Sequence, residues 1–481
     1  MARIPLLGGA YSARSIIASA QRCVNLYPER TPESSSPPTP VTHYLTPGLV
    51  TLVTPAVAAV RCLFRATNDR LYAVIGNSVY YLDAAFAPTL LGTIAAGSTP
   101  VSMTDNGTVA VIVDGTTAGY VVNITTNVMT TIADPAFYGA DRVVCIDGWL
   151  IFNRPLTNQF YLSPVFWDGI APFDALYIAS KVGGPDRIIS IAALRGELWL
   201  IGALTTEIWF NAGAADFPFA RQPGVLIEHG MLRGYTVSEV DVNVFWLGRD
   251  RQGRLVVFMG KGYEALRVST SAIEDMFQVS TGPVSDAVGF TYQEGGHTFY
   301  VLTFPTTGET WVYDLLTGEW HQRTWTNPAT GAESRIRPNC YAFANNRNVV
   351  GDWENGKIYW MTQASYSDDG NPIVRRRGFP HLMNDGKVVS YSAFIADMDV
   401  NNTVAVVGTP TLYLRWSDTR GATWEIPIEI LMDYSGTDPK YRSLAVRRLG
   451  RARDRVFELY WSFANPTALN GAFVEVEPAE T

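Results

Sequence analysis

The sequence predicts an all-β chain: a β-propeller of six or seven blades over residues 56–384, an extended arm before it (1–55), and a small β-sandwich platform after it (385–481). Three observations carry that prediction. A turn-bounded hairpin recurs about every 40–55 residues, the interval of propeller blades rather than of helical repeats. The chain holds 23 Tyr, 22 Phe and 13 Trp, side chains that suit the pleated surface of strands. Helical stretches are scarce, while 41 Gly and 28 Pro are spread along the chain as turn formers.

The arm comes first. Its opening apolar run is too short for a secretion signal and is broken by Gly8, Gly9, Ser12 and Arg14. Residues 15–21 can make a short helix. Residues 29–40 are too rich in Pro, Ser and Thr for regular structure, which predicts an extended path over the terminal domain or a neighbouring subunit. Thr46-Pro47-Gly48-Leu49 reads as a tight turn into the first strand.

The hairpin copies follow, with turns at Asn68-Asp69, Asn106-Gly107, Asp147-Gly148, Arg195-Gly196, Gln252-Gly253, Gly295-Gly296 and Asn345-Asn346. Each continues as an apolar strand, a second turn and an aromatic-rich strand, as in Leu71-Tyr72-Ala73-Val74-Ile75 and Val79-Tyr80-Tyr81-Leu82. Such a unit cannot bury its apolar faces alone, so neighbours must stack. The intervals are uneven, hence six or seven blades, and residues 171–186 and 212–228 read as insertions. Residues 271–277 are the best short helix. Beyond 385, strands are expected at 388–400, 411–417, 424–431, 444–449 and 456–463.

Composition excludes several classes. The net charge of −8 argues against a surface built to grip nucleic acid, because duplex affinity rests on phosphate neutralisation by Lys and Arg. No run of about 18 apolar residues occurs, so no membrane span is expected. Cys23, Cys62, Cys145 and Cys340 are far apart with no Cys-x-x-Cys pair, which favours buried thiols and assembly in a reducing cytoplasm.

Complete catalytic signatures are missing from the sequence. The phosphate-cradling and dinucleotide Gly motifs are missing, as are His-Glu-x-x-His and Gly-x-Ser-x-Gly. His43, His229, His297, His321 and His381 stand isolated, and Asp368-Asp369 reads as a solvated turn. Ser417-Asp418-Thr419-Arg420-Gly421-Ala422-Thr423-Trp424 approaches the Asp-box of sialidases with its aspartate one place early, which reads as a structural turn. No catalytic, cofactor or metal residue is therefore expected, and no cofactor. Two basic runs remain, Arg375-Arg376-Arg377 and the stretch from Lys440 to Arg455, suited to carboxylate-bearing partners or to phosphates.

Two segments resemble the packaged-DNA stabilisation proteins of short-tailed phages, also described as tail hub or nozzle proteins. One is Arg22-Cys23-Val24-Asn25-Leu26-Tyr27-Pro28-Glu29 with Leu45-Thr46-Pro47-Gly48-Leu49. The other is Leu414-Arg415-Trp416-Ser417-Asp418 with Gly421-Ala422-Thr423-Trp424, leading to Arg447-Arg448-Leu449-Gly450-Arg451-Ala452-Arg453-Asp454-Arg455. The resemblance spans nearly the whole chain. It implies a non-enzymatic virion component in the tail, forming a hexameric ring that continues the DNA channel below the portal and its adaptor. Such a hub retains packaged DNA and docks fibres, spikes or a needle, with double-stranded DNA passing without sequence specificity. The expected interface residues are Tyr27, Pro28 and Arg30 in the arm and Arg447, Arg448, Arg451 and Arg453 near the end. The alternative is a sialidase-like propeller glycosidase acting on host surface polysaccharide, which would need several Asp-boxes and an arginine cluster.

Overall fold

The computed structural model describes residues 2–11, 15, 18–31, 40–279, 284–400, 410–432 and 441–478. Seven four-stranded antiparallel units stand around one axis. Six are built from four consecutive strands each: blade 1 within residues 60–93, blade 2 within 102–131, blade 3 within 143–180, blade 4 within 188–221, blade 5 within 238–267 and blade 6 within 288–322. Blade 7 takes three strands from residues 338–362 and its fourth from the N-terminal strand Gly48–Val53. The first strand of each blade packs on the first strand of the next, and that of blade 7 returns to blade 1, so the ring is closed.

The blades form because each strand buries both faces. Leu71–Ile75 and Val109–Val113 are apolar throughout and wholly buried, as second strands wedged between two neighbouring sheets. A separate apolar core fills every gap between adjacent blades, seven in all. Between blades 2 and 3, for example, Val111 and Val121 meet Leu150, Phe152 and Tyr161, with Phe137 set edge-on to Phe152 at 5.5 Å. The expected short helix is present as Ser271–Val279, and it places Ile273 and Phe277 in the core between blades 5 and 6.

An eighth core lies outside the propeller, between two sheets. One sheet joins Val389–Val400, Thr467–Pro478 and Tyr441–Arg447 with N-terminal strands Ala2–Pro5, Leu26–Arg30 and Val41–Leu45. The other is a direct continuation of blade 6. Beyond its outer strand Trp320–Gln322 come Cys23–Val24, Arg375–Gly378, Asp454–Trp461, Thr411–Ser417 and Ile428–Leu431. Phe394, Leu469 and Val474 from the first sheet pack against Leu412, Phe457 and Trp461 from the second. Both ends of the chain therefore build this unit together. Of the helix expected at 15–21, the described part is one turn closed by Ala18 N–H on the Ser15 carbonyl, 2.9 Å, and residues 16–17 lie outside the described set. Residues 32–39 of the Pro/Ser-rich stretch and Lys440 also lie outside it.

Candidate assembly interface

The arm is fastened where propeller and terminal unit meet. Asn25 is buried with φ +56, a left-handed conformation that Asn tolerates better than most residues. Its amide donates to the Thr324 and Val374 carbonyls at 3.0 and 2.8 Å, and its Oδ1 accepts from Thr324 N–H at 3.0 Å. One side chain thus ties the arm to the exit of blade 6 and to the entry of the terminal sheets. Tyr27 is buried in the core between blades 6 and 7, edge-on to Phe299 at 5.4 Å, with its hydroxyl accepting from Gln363 at 2.9 Å. Pro28 is buried opposite His43, and Arg30 is exposed and ion-paired to Glu319 of blade 6. Tyr27 and Pro28 therefore contribute to packing within the chain.

Two wholly buried histidines sit at this junction, and neither ring makes a hydrogen bond among the described residues. Burial, with Arg323 and His297 nearby, depresses His321 to about 3. Burial, with Arg377 and His321, likewise holds His43 well below the usual imidazole range.

The run Arg375-Arg376-Arg377, expected to face a partner or phosphates, is turned inward instead. Arg375 donates to the carbonyls of Tyr366 and Phe463 at 2.9 and 3.1 Å, and burial pulls it down to about 10. Arg377 donates to Gly8 and Gly9 at 3.1 and 3.0 Å, gripping the first residues of the arm. Arg376 bridges Glu458 and Glu333 at 2.7 and 3.1 Å. Charge density in the sequence looks the same whether it coats a surface or satisfies carbonyls inside, and nothing in the run distinguishes the two. Asp368 also departs from expectation. It is buried rather than solvated, and burial raises it to about 6 despite Arg323, Arg375 and Arg337.

The second basic run divides by position. Arg455 is buried with a forked pair to Asp418 at 2.6 and 2.7 Å, against the rings of Tyr391 and Trp416. Arg447, Arg448, Arg451 and Arg453 are all exposed on the connection between Tyr441–Arg447 and Asp454–Trp461. Arg453 donates to the Gly386 carbonyl at 2.6 Å. The other three make no side-chain hydrogen bond or ion pair among the described residues, so this turn offers uncommitted guanidinium groups. In the Asp-box-like segment, Ser417 Oγ accepts from the backbone N–H of Thr419 and Gly421 at 3.3 and 2.8 Å, while Asp418 is spent on Arg455. The segment is a capped turn.

The propeller axis is narrow and crossed by polar side chains. A cavity of about 320 Å³ runs along it, lined by Arg61, Asp141, Arg142, Glu239, Asn339 and Tyr341 among others. Arg142 spans to the Val237 carbonyl at 3.1 Å and to Glu239 at 3.4 Å, and Arg61 to the carbonyls of Thr99 and Gly76 at 2.7 and 3.0 Å. That volume holds roughly ten water molecules, far less than a duplex. Among the described residues no group of three or more His, Cys, Asp or Glu could hold a metal, and no helix is long and apolar enough to cross a membrane.

Three solved structures overlay 66% of this chain at low identity: the computationally designed Ika8 protein (13% identical, TM-score 0.37, 99% of that chain), the WD40 β-propeller domain of Doa1 (11%, 0.38, 97%) and BamB from Moraxella catarrhalis (8%, 0.39, 91%). No curated protein matches. A family model described as bacteriophage P22 Gp10, beta-propeller, matches residues 2–366, three quarters of the chain and all seven blades. The chain therefore belongs to the phage packaged-DNA stabilisation family of β-propeller proteins.

Proposed function

We propose that this phage structural protein is a tail hub or nozzle. Six copies form a ring that extends the DNA channel below the portal adaptor, helps retain packaged DNA and presents docking sites for fibres, spikes or a needle. The observation that carries this reading is the narrow propeller axis crossed by Arg61 and Arg142. The axial cavity of about 320 Å³ is far too small for a duplex, which supports a lumen between copies as the place for DNA in a chain of this family. The exposed arginines at 447, 448, 451 and 453 face a neighbouring copy or the adaptor, assembly takes place in the host cytoplasm, and Tyr27 and Pro28 support the interface by fixing the arm. Electron cryomicroscopy of intact virions tests the proposal. The expected map places six copies of residues 56–366 around the tail axis. A map in which this chain is missing from the tail, or is a single copy, overturns it.

A further inference from the structure

The last connection of blade 3 carries apolar side chains that the propeller core does not use. Between the strands Gln159–Leu162 and Ile178–Ser180, residues 163–177 form a long ordered loop. Its frame is well tied. Asp168 Oδ1 accepts from the N–H groups of Ile170 and Ala171 at 2.8 and 2.9 Å, and Asp174 caps Leu176 N–H at 2.9 Å. Trp167 is buried on Phe173 at 5.0 Å and donates to the Ala171 carbonyl at 2.7 Å. On that frame Phe166, Ile170 and Leu176 are 67%, 87% and 79% exposed. Phe166 also adopts φ +48, held by its N–H on the Gly148 carbonyl at 2.9 Å. A bulky L residue rarely adopts that region, and such strain gathers at functional surfaces. Exposed Asp147, Asp168 and Asp174 surround the knob with negative charge.

The exposed arginine turn lies at the other end of the molecule. It connects the two sheets of the terminal unit, one of which continues blade 6, and in a closed ring of seven, blades 3 and 6 stand across the axis from each other. One end is apolar and anionic, the other cationic. A guanidinium fork suits both elements of the knob, pairing with carboxylates and stacking on an aromatic face. Complementary patches at opposite ends make a heterologous contact, which generates a ring when the rotation closes.

We propose that the arginine turn around Arg447 and Arg448 of one copy docks on the blade 3 loop around Phe166 of its neighbour. This rests on the ring reading of the function and names the surfaces that would make the ring. Sedimentation of the full chain over a concentration series tests it, with circular dichroism confirming that each variant is folded. The wild-type chain is expected to self-associate, more weakly at high salt. The pair Ile170→Arg and Leu176→Arg, both at exposed positions, and the pair Arg447→Glu and Arg448→Glu should each weaken association at least about tenfold. All four changes in one chain should restore part of it, because each introduced glutamate then faces an introduced arginine across the contact. A wild-type chain that stays monomeric, variants that associate normally, or a fourfold variant no better than either pair overturns the proposal. The virion map described above can succeed or fail independently, since it locates the chain without assigning its contacts.

Discussion

Two buried ionisable residues set opposite pH dependences on stability. His321 titrates in the fold near 3 and in the unfolded chain near 6.5, so between those values only the unfolded chain takes up the proton. Its contribution is complete above about pH 6.5 and is lost as the pH falls toward 3, about 2 kcal/mol by pH 5. His43, held low by the same burial, adds in the same direction. Replacing the ring without the titration, His321→Phe, should leave neutral stability nearly unchanged and lessen the acid-side loss by about 2 kcal/mol at pH 5, read from urea unfolding. Asp368 works the other way. Its folded value near 6 lies above the ordinary aspartate value near 3.9, so its contribution is present below about pH 4 and fades as the pH rises through 6. Asp368→Asn removes the need to bury a charge and should stabilise the protein at pH 7 by about 1–3 kcal/mol, with no gain at pH 4. Equal effects at both pH values would place the origin in packing rather than ionisation.

Among the elements, the strand Gly48–Val53 has the widest reach, because it closes blade 7 from the far end of the chain. It pairs with Ile358–Thr362, placing Leu49 beside Met361 in the core between blades 6 and 7. Gly48 is required there, since a Cβ would lie 2.5 Å from the Ser367 carbonyl oxygen and 2.6 Å from that of Ser365. Gly48→Ala should therefore cost about 2–4 kcal/mol and lower the melting temperature of the whole propeller in one transition, seen by calorimetry. A separate early transition confined to the arm would contradict that coupling. The hairpins were legible because the turn residues and apolar runs recur locally, and their cores follow from the same runs. The closure by residues 48–53 was not, since strand pairing between residues about 310 apart leaves no mark in either segment. The strand Thr467–Pro478 was missed as well. Asn-Gly, here Asn470-Gly471, is a pair common in turns, yet this is among the longest strands and pairs with Val389–Val400 along its length. Of the candidate interface, the exposed arginines of the last turn were visible as charge. The inward turn of Arg375 and Arg377 was not, because it depends on carbonyls brought from distant parts of the chain, Tyr366 and Phe463 for Arg375 and Gly8 and Gly9 for Arg377.

At the scale of the whole molecule, charge is divided between the two units. Residues 56–366 hold 20 Lys and Arg against 28 Asp and Glu, so they account for the entire net charge of −8 and the remainder is balanced. An acidic wall repels a phosphate backbone, and a lumen lined this way lets duplex slide, whereas a basic one would hold it through counterion release. The four exposed arginines do not reverse this balance, because a protein that neutralises few phosphates keeps a shallow salt dependence and low affinity. Titrating the purified chain against a labelled duplex should therefore give a dissociation constant weaker than about 10⁻⁴ M at physiological salt, followed by fluorescence anisotropy. Arg447→Gln with Arg448→Gln should change that value little. Micromolar binding, lost in the double variant, would instead make the arginine turn a DNA clamp and set retention of the genome on direct grip rather than on the ring proposed above.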